Sequence, residues 1–75
     1  MKAQDNYYKG VGKRIKEARK TTGSTQEQLG KVLRVSRISV VHYEAGKQRP
    51  SLWSVKKIAR NLNADLCWLI TGRRA

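Results

Sequence analysis

The chain has a single cysteine, Cys67, so no internal disulfide can form, and with a single histidine, His42, it lacks a Cys/His metal set. Nothing in it needs oxidation to fold, which fits a reducing, cytoplasmic setting. No apolar run is long enough to span a membrane, and Lys2 is followed by polar residues where a signal peptide needs apolar ones. Period-two alternation is absent, which excludes half-buried strands, and so are repeats and low-complexity linkers. There is no acid pair suited to a cleft, no nucleophile–base set and no phosphate-binding glycine loop. An enzyme is therefore not expected, and neither is a cofactor or a metal. The scarcest feature is negative charge: five acids face 17 Lys and Arg, a formal net charge of +12.

A small domain this basic repels itself, so the excess charge implies a polyanionic partner. Nucleic acid is the first candidate and an anionic membrane surface the second. A membrane-surface chain needs one strongly basic amphipathic helix. Here the cations are shared among Lys13, Arg14 and Lys16, Arg34 and Arg37, Lys47 and Arg49, Lys56, Lys57 and Arg60, and Arg73 and Arg74. Several elements thus offer charge to one surface, and no membrane association is expected.

Seventy-five residues make one domain at most. Residues 1–6 lack periodicity and read as a flexible N-terminal arm, with the domain over 7–75. The first helix is expected from about Tyr7 to Thr22, with Tyr8, Val11, Ile15 and Ala18 as its apolar stripe and Gly23 as its stop. Thr25-Gln26-Glu27-Gln28 is a capping box opening a second helix, whose buried side is Leu29, Val32 and Leu33. Gly30 between them predicts the close approach of another helix. Arg34-Val35 forms a tight turn, and Ser36 caps a third helix from Arg37 to about Ala45, with Val40 inward and Gly46 at its end. After the Lys47–Pro50 loop, a fourth helix spans Leu52 to Leu62, burying Leu52, Val55, Ile58, Ala59 and Leu62; Asn63 stops it. Asp65 caps a fifth, with Leu66, Trp68, Leu69 and Ile70 as its apolar face and Gly72 beyond it. The fold is all-α, with five helices.

In one register from Gly12 to Gly72, six segments match a known pattern. They are Gly12-Lys13-Arg14-Ile15, Thr25-Gln26-Glu27-Gln28-Leu29, Val35-Ser36-Arg37, Tyr43-Glu44-Ala45-Gly46-Lys47, Arg49-Pro50-Ser51 and Cys67-Trp68-Leu69-Ile70-Thr71-Gly72. On these the chain resembles the Cro/C1-type (lambda repressor-like) helix-turn-helix family of phage repressors and bacterial regulators. The resemblance implies a transcriptional regulator that binds double-stranded DNA. Its second helix lies across the backbone and its third, residues 37–45, enters the major groove. It further implies a homodimer, held through the fifth helix and its flanks, on a two-fold operator with half-sites about 10 base pairs apart. A phage- or mobile-element-type repressor leads. The alternatives are an antitoxin of a toxin–antitoxin pair, which would add a protein partner, and a restriction–modification controller.

Carried onto this chain, the base-contact candidates are Arg37, Ile38, Val41 and His42. Arg37 fits guanine O6 and N7 in two-pronged fashion, or else a phosphate alone. Ile38 and Val41 suit a thymine methyl, since Val40 already takes the inward direction; His42 either meets a base or phosphate or is a solvated surface histidine. Backbone-contact candidates are Gln26, Ser36, Ser39, Lys47, Gln48, Arg49 and Ser51. Arg19 and Glu44 fall where related repressors pair a first-helix arginine with a glutamate at the end of the third. Four residues depart from the family pattern. Arg34 replaces a turn glycine, Ser24 an apolar residue and Cys67 an aspartate. Trp53 takes a normally polar site, to lie on a sugar-phosphate strand, to contact protein or to fold over the fourth and fifth helices.

Overall fold

The computed structural model describes residues 3–74, with side chains from Asn6 onward. Its five helices are α1 (Ala3–Thr21), α2 (Gln26–Leu33), α3 (Arg37–Ala45), α4 (Leu52–Asn61) and α5 (Leu66–Thr71), with no strand among the described residues. α1 packs on α3 and α5, α2 on α3 and α4, and α4 on α5. Every helix thus turns one stripe to a shared centre. Ile15, Leu29, Val40, Ile58 and Leu69, one from each helix, are the largest fully buried side chains. Burial of each contributes about 1.5–3 kcal/mol relative to exposure. Tyr43 and Leu62 close the same core, with Val35, Ala64, Leu66 and Trp68 packed against it.

The helix ends follow local chemistry. Thr25 and Gln28 form the reciprocal capping box, hydroxyl to amide at 3.0 Å and amide to side chain at 2.9 Å. Ser36, Ser51 and Asp65 cap α3, α4 and α5, each accepting the amide three residues on. Arg34 closes α2 at φ 59°, so the arginine takes up the left-handed turn usually given to glycine. Asn63, at φ 52°, does the same just after α4.

Four expectations are corrected. α1 begins at Ala3, not Tyr7, so residues 3–6 of the expected arm are helical. Ala3 and Gln4 are good helix formers, and extending an existing helix costs no new nucleus, so no apolar repeat is needed. Met1 and Lys2 lie outside the described residues. Gly30 is close-packed by the turn and not by a helix: a Cβ there would lie 2.9 Å from the Val35 carbonyl oxygen. The true close helix crossing is at Gly12, where a Cβ would run into the Tyr43 and Glu44 carbonyls of α3. Finally, Leu52 is 70 % exposed. As the first residue of α4 it has no preceding helical turn to cover it. Val32, Leu66, Trp68 and Ile70 are only half-buried.

Arg14 supplies a tie with no counterpart in the apolar pattern. Its Nε donates to the Leu69 carbonyl at 2.9 Å and its Nη2 to that of Ile70 at 3.2 Å. A cation from α1 thereby satisfies the carbonyl end of α5, where the helix dipole favours positive charge.

Candidate nucleic-acid interface

Two short helices joined by a turn of three residues, Arg34, Val35 and Ser36, carry most of the candidate residues. α3 buries Val40, Tyr43 and Glu44 and leaves Arg37 and Ile38 exposed, with Ser39, Val41 and His42 half-buried. Ile38 is 53 % exposed although the core lies one turn away. Arg37 and Ile38 therefore stand proud at the start of α3, while Val41 and His42 sit lower along the same surface.

Behind this face runs a continuous polar chain. Arg19 of α1 grips Glu44 through both prongs, Nε to Oε2 at 2.6 Å and Nη2 to Oε1 at 3.2 Å. Its third donor, Nη1, bonds the Ser24 backbone carbonyl at 2.9 Å, a contact that any residue at this position would make. Gln26 Nε2 donates to Glu44 Oε1 at 3.2 Å, and Gln26 Oε1 accepts from Arg37 Nη1 at 3.4 Å. The buried pair is thus linked through Gln26 to the exposed arginine at the tip of α3. Among the described residues, no buried side-chain nitrogen or oxygen lacks a partner. A paired, fully bonded buried ion pair adds little net stability but is costly to break from one side.

The remaining polar candidates flank α3. Ser36 and Ser51 spend their oxygens as helix caps: Ser36 Oγ accepts from Ser39 N at 3.2 Å, and Ser51 Oγ from Ser54 N at 3.0 Å. Ser39 Oγ accepts in turn from Ser36 Oγ at 3.4 Å. What these sites offer an anion is chiefly the positive end of the helix dipole and its first amides. After α3, the amides of Lys47 and Gln48 both turn back to the His42 carbonyl, at 2.9 and 3.3 Å. Their backbone is thereby committed, and their exposed side chains face outward with that of Arg49.

Two residues have surroundings that local sequence does not reveal. Tyr8, placed by spacing in the apolar stripe of α1, lies under Arg49, whose Cζ is 4.9 Å from the ring centre. Helical spacing marked Tyr8 only as core, because its partner comes from a distant loop. Trp53, half-exposed, forms one wall of an open groove of about 610 Å³ between α4 and the start of α5. Lys57 Nζ stands 5.6 Å from its ring centre. Cys67 is half-buried, its Sγ 3.7 Å from Thr71 Oγ1. No helix among the described residues is long and apolar enough to cross a membrane.

A capped positioning helix, a tight turn and a second helix with an exposed, cation-tipped face, on a chain of charge +12, define a helix-turn-helix DNA-binding domain. The chain belongs to the Helix-turn-helix family HTH_3, of the Cro/C1 type, which matches residues 15–69; its members are DNA-binding transcriptional regulators. It is 49 % identical over 53 residues to an uncharacterized HTH-type transcriptional regulator of Archaeoglobus fulgidus, covering 71 % of this chain and 76 % of that one. Among solved structures it is similar to the restriction-modification controller protein C.AhdI from Aeromonas hydrophila. The TM-score is 0.80 at 26 % identity, over 91 % of this chain and 99 % of the other. It is also similar to the P22 c2 repressor protein in complex with synthetic operator 9T, with a TM-score of 0.77 at 25 % identity, over 84 % and 96 % of the two chains.

Proposed function

We propose that the chain is a sequence-specific repressor that binds a two-fold operator in duplex DNA as a homodimer, with α3 in the major groove. The observation that carries this reading is Arg37, exposed at the first position of α3 and braced by Gln26, which Glu44 and Arg19 hold in turn. A long arginine pays less ordering cost on binding when its partner is already fixed. Arg37 then reads guanine O6 and N7, Ile38 and Val41 meet thymine methyls, and His42, one turn on, meets a base edge or a phosphate. Gln26, Ser36, Ser39, Lys47, Gln48, Arg49 and Ser51 border the groove and position the domain on the backbone. Arg19 and Glu44 are its structural ion pair. The similarity to the P22 c2 repressor, solved on an operator, supports this assignment.

Likeness to C.AhdI along nearly all of that chain supports a second role on the same DNA-reading surface, a restriction–modification controller. Selection of bound sites from a random duplex pool tests the shared reading. The expected result is a two-fold motif with half-sites about 10 base pairs apart. Affinity that depends on salt alone, with no motif enriched, overturns it. Placing the selected site in a reporter promoter then reads the sign of regulation: repression supports the repressor, and activation alone counts against it.

A further inference from the structure

We propose that Tyr8 is a positioning residue for DNA binding, holding the Arg49 guanidinium stacked at the edge of the interface so that it meets a phosphate. The inference rests on the DNA-reading assignment above and adds a residue outside the family-matched segment, 15–69.

Arg49 lies over the Tyr8 ring with its Cζ 4.9 Å from the centre, within the range of an attractive cation–π contact. Tyr8 is itself steadied. The Tyr7 ring stands edge-on to it, centres 4.9 Å apart and planes at 82°, the favoured T-shaped arrangement. The loop that carries Arg49 is fixed on both sides. At its start, Gly46 packs on the same turn of α1, so closely that a Cβ would lie 2.8 Å from the Lys9 Cα. The Lys47 and Gln48 amides are tied to the His42 carbonyl, and Pro50 restricts the far end. With the backbone held, the Tyr8 ring gives the exposed Arg49 guanidinium a flat face to stack on and so helps to order it.

The chemistry favours a phosphate partner. Stacking occupies the flat face of a guanidinium, while phosphate is bonded by its edge N–H groups, so one arginine serves both contacts at once. Lysine cannot do this, since its ammonium is a point charge with no planar face. The Tyr8–Arg49 stack therefore attaches the N-terminal part of α1 to the loop that follows α3. A helix outside the helix-turn-helix thereby takes part in DNA binding.

The test measures binding of the whole chain to its selected duplex by fluorescence anisotropy across a salt series. Tyr8→Leu is expected to weaken binding roughly 2- to 5-fold at physiological salt, and Tyr8→Phe, which keeps the ring, to bind within about twofold of the parent. In an Arg49→Ala background, Tyr8→Leu should have no further effect, because the two act as one unit. Arg49→Lys leaves Tyr8 and the core intact and should lose a similar factor, so the test survives even if Tyr8→Leu folds poorly. Parent-like binding by both Tyr8→Leu and Arg49→Lys overturns the inference. So does an undiminished effect of Tyr8→Leu in the Arg49→Ala background, which would make the tyrosine merely structural. A parent chain that selects no duplex overturns the DNA reading and this inference together.

Discussion

Glu44 accepts three side-chain hydrogen bonds, two from Arg19 and one from Gln26, while 8 % exposed. Glu44→Ala removes every one and leaves a buried guanidinium without its counter-charge. A loss of about 3–5 kcal/mol follows, read as a lower midpoint in thermal or urea unfolding. An unchanged midpoint would show that water replaces the carboxylate at no cost. Arg37 sits at the other end of the same chain but is exposed, so truncating it spares the fold. Arg37→Ala is expected to cost about 1–3 kcal/mol of binding and to relax preference at one base position, with the thermal midpoint held. Equal weakening on all duplexes would instead assign Arg37 to phosphate. The Arg19–Glu44 pairing was legible in the sequence only through the family register, since nothing local links residues on two separate helices. The link from Gln26 to Arg37 and the stack of Arg49 on Tyr8 depend on side-chain directions that spacing alone does not give.

The turn between α2 and α3 shows an element working against its own residue. Arg34 holds φ 59° although it carries a Cβ, at about 1–2 kcal/mol for a non-glycine residue. Arg34→Gly removes that strain but adds about 0.5–1 kcal/mol of unfolded-chain freedom. The net expectation is a rise in stability of up to about 1 kcal/mol, checked by denaturant midpoint at constant slope. A fall would mean that the arginine side chain contributes more than its strain. Gly12 is the converse case, because its missing side chain lets α1 lie against the carbonyls of α3. Gly12→Ala should therefore loosen the seat of the reading helix and lower the thermal midpoint. The capping box at Thr25 and the Ser36 cap were readable because their bonds span three residues. The extension of α1 to Ala3 was not, since a helix can propagate through residues that bury nothing.

At the scale of the whole molecule, a charge of +12 and one small core set opposing salt responses. Added salt screens self-repulsion and should raise the thermal midpoint of the free chain, while DNA affinity falls by about 0.9 log units per phosphate contact for each tenfold rise in salt. The two measurements on one preparation should move in opposite directions; parallel movement would contradict the charge argument. Leu69, wholly buried, draws α5 onto the core shared by all five helices. Leu69→Ala is expected to cost about 2–5 kcal/mol, a large share of what a domain of this size possesses. A largely unfolded circular-dichroism spectrum at 37 °C is the predicted sign.

By itself, the sequence determined the five helices, most of their caps, much of the inward stripe of each and the large positive charge. These depend on contacts within a few residues or on composition, which can be read along the chain. The tertiary structure decided what meets across it. It set α3 against Gly12, brought Arg14 to the end of α5 and left Leu52 uncovered. It also joined Arg19 to Arg37 through Glu44 and Gln26, and placed Tyr8 under Arg49. Those pairings join residues far apart in the chain, and only the packing of the helices settles which side chains come within bonding distance.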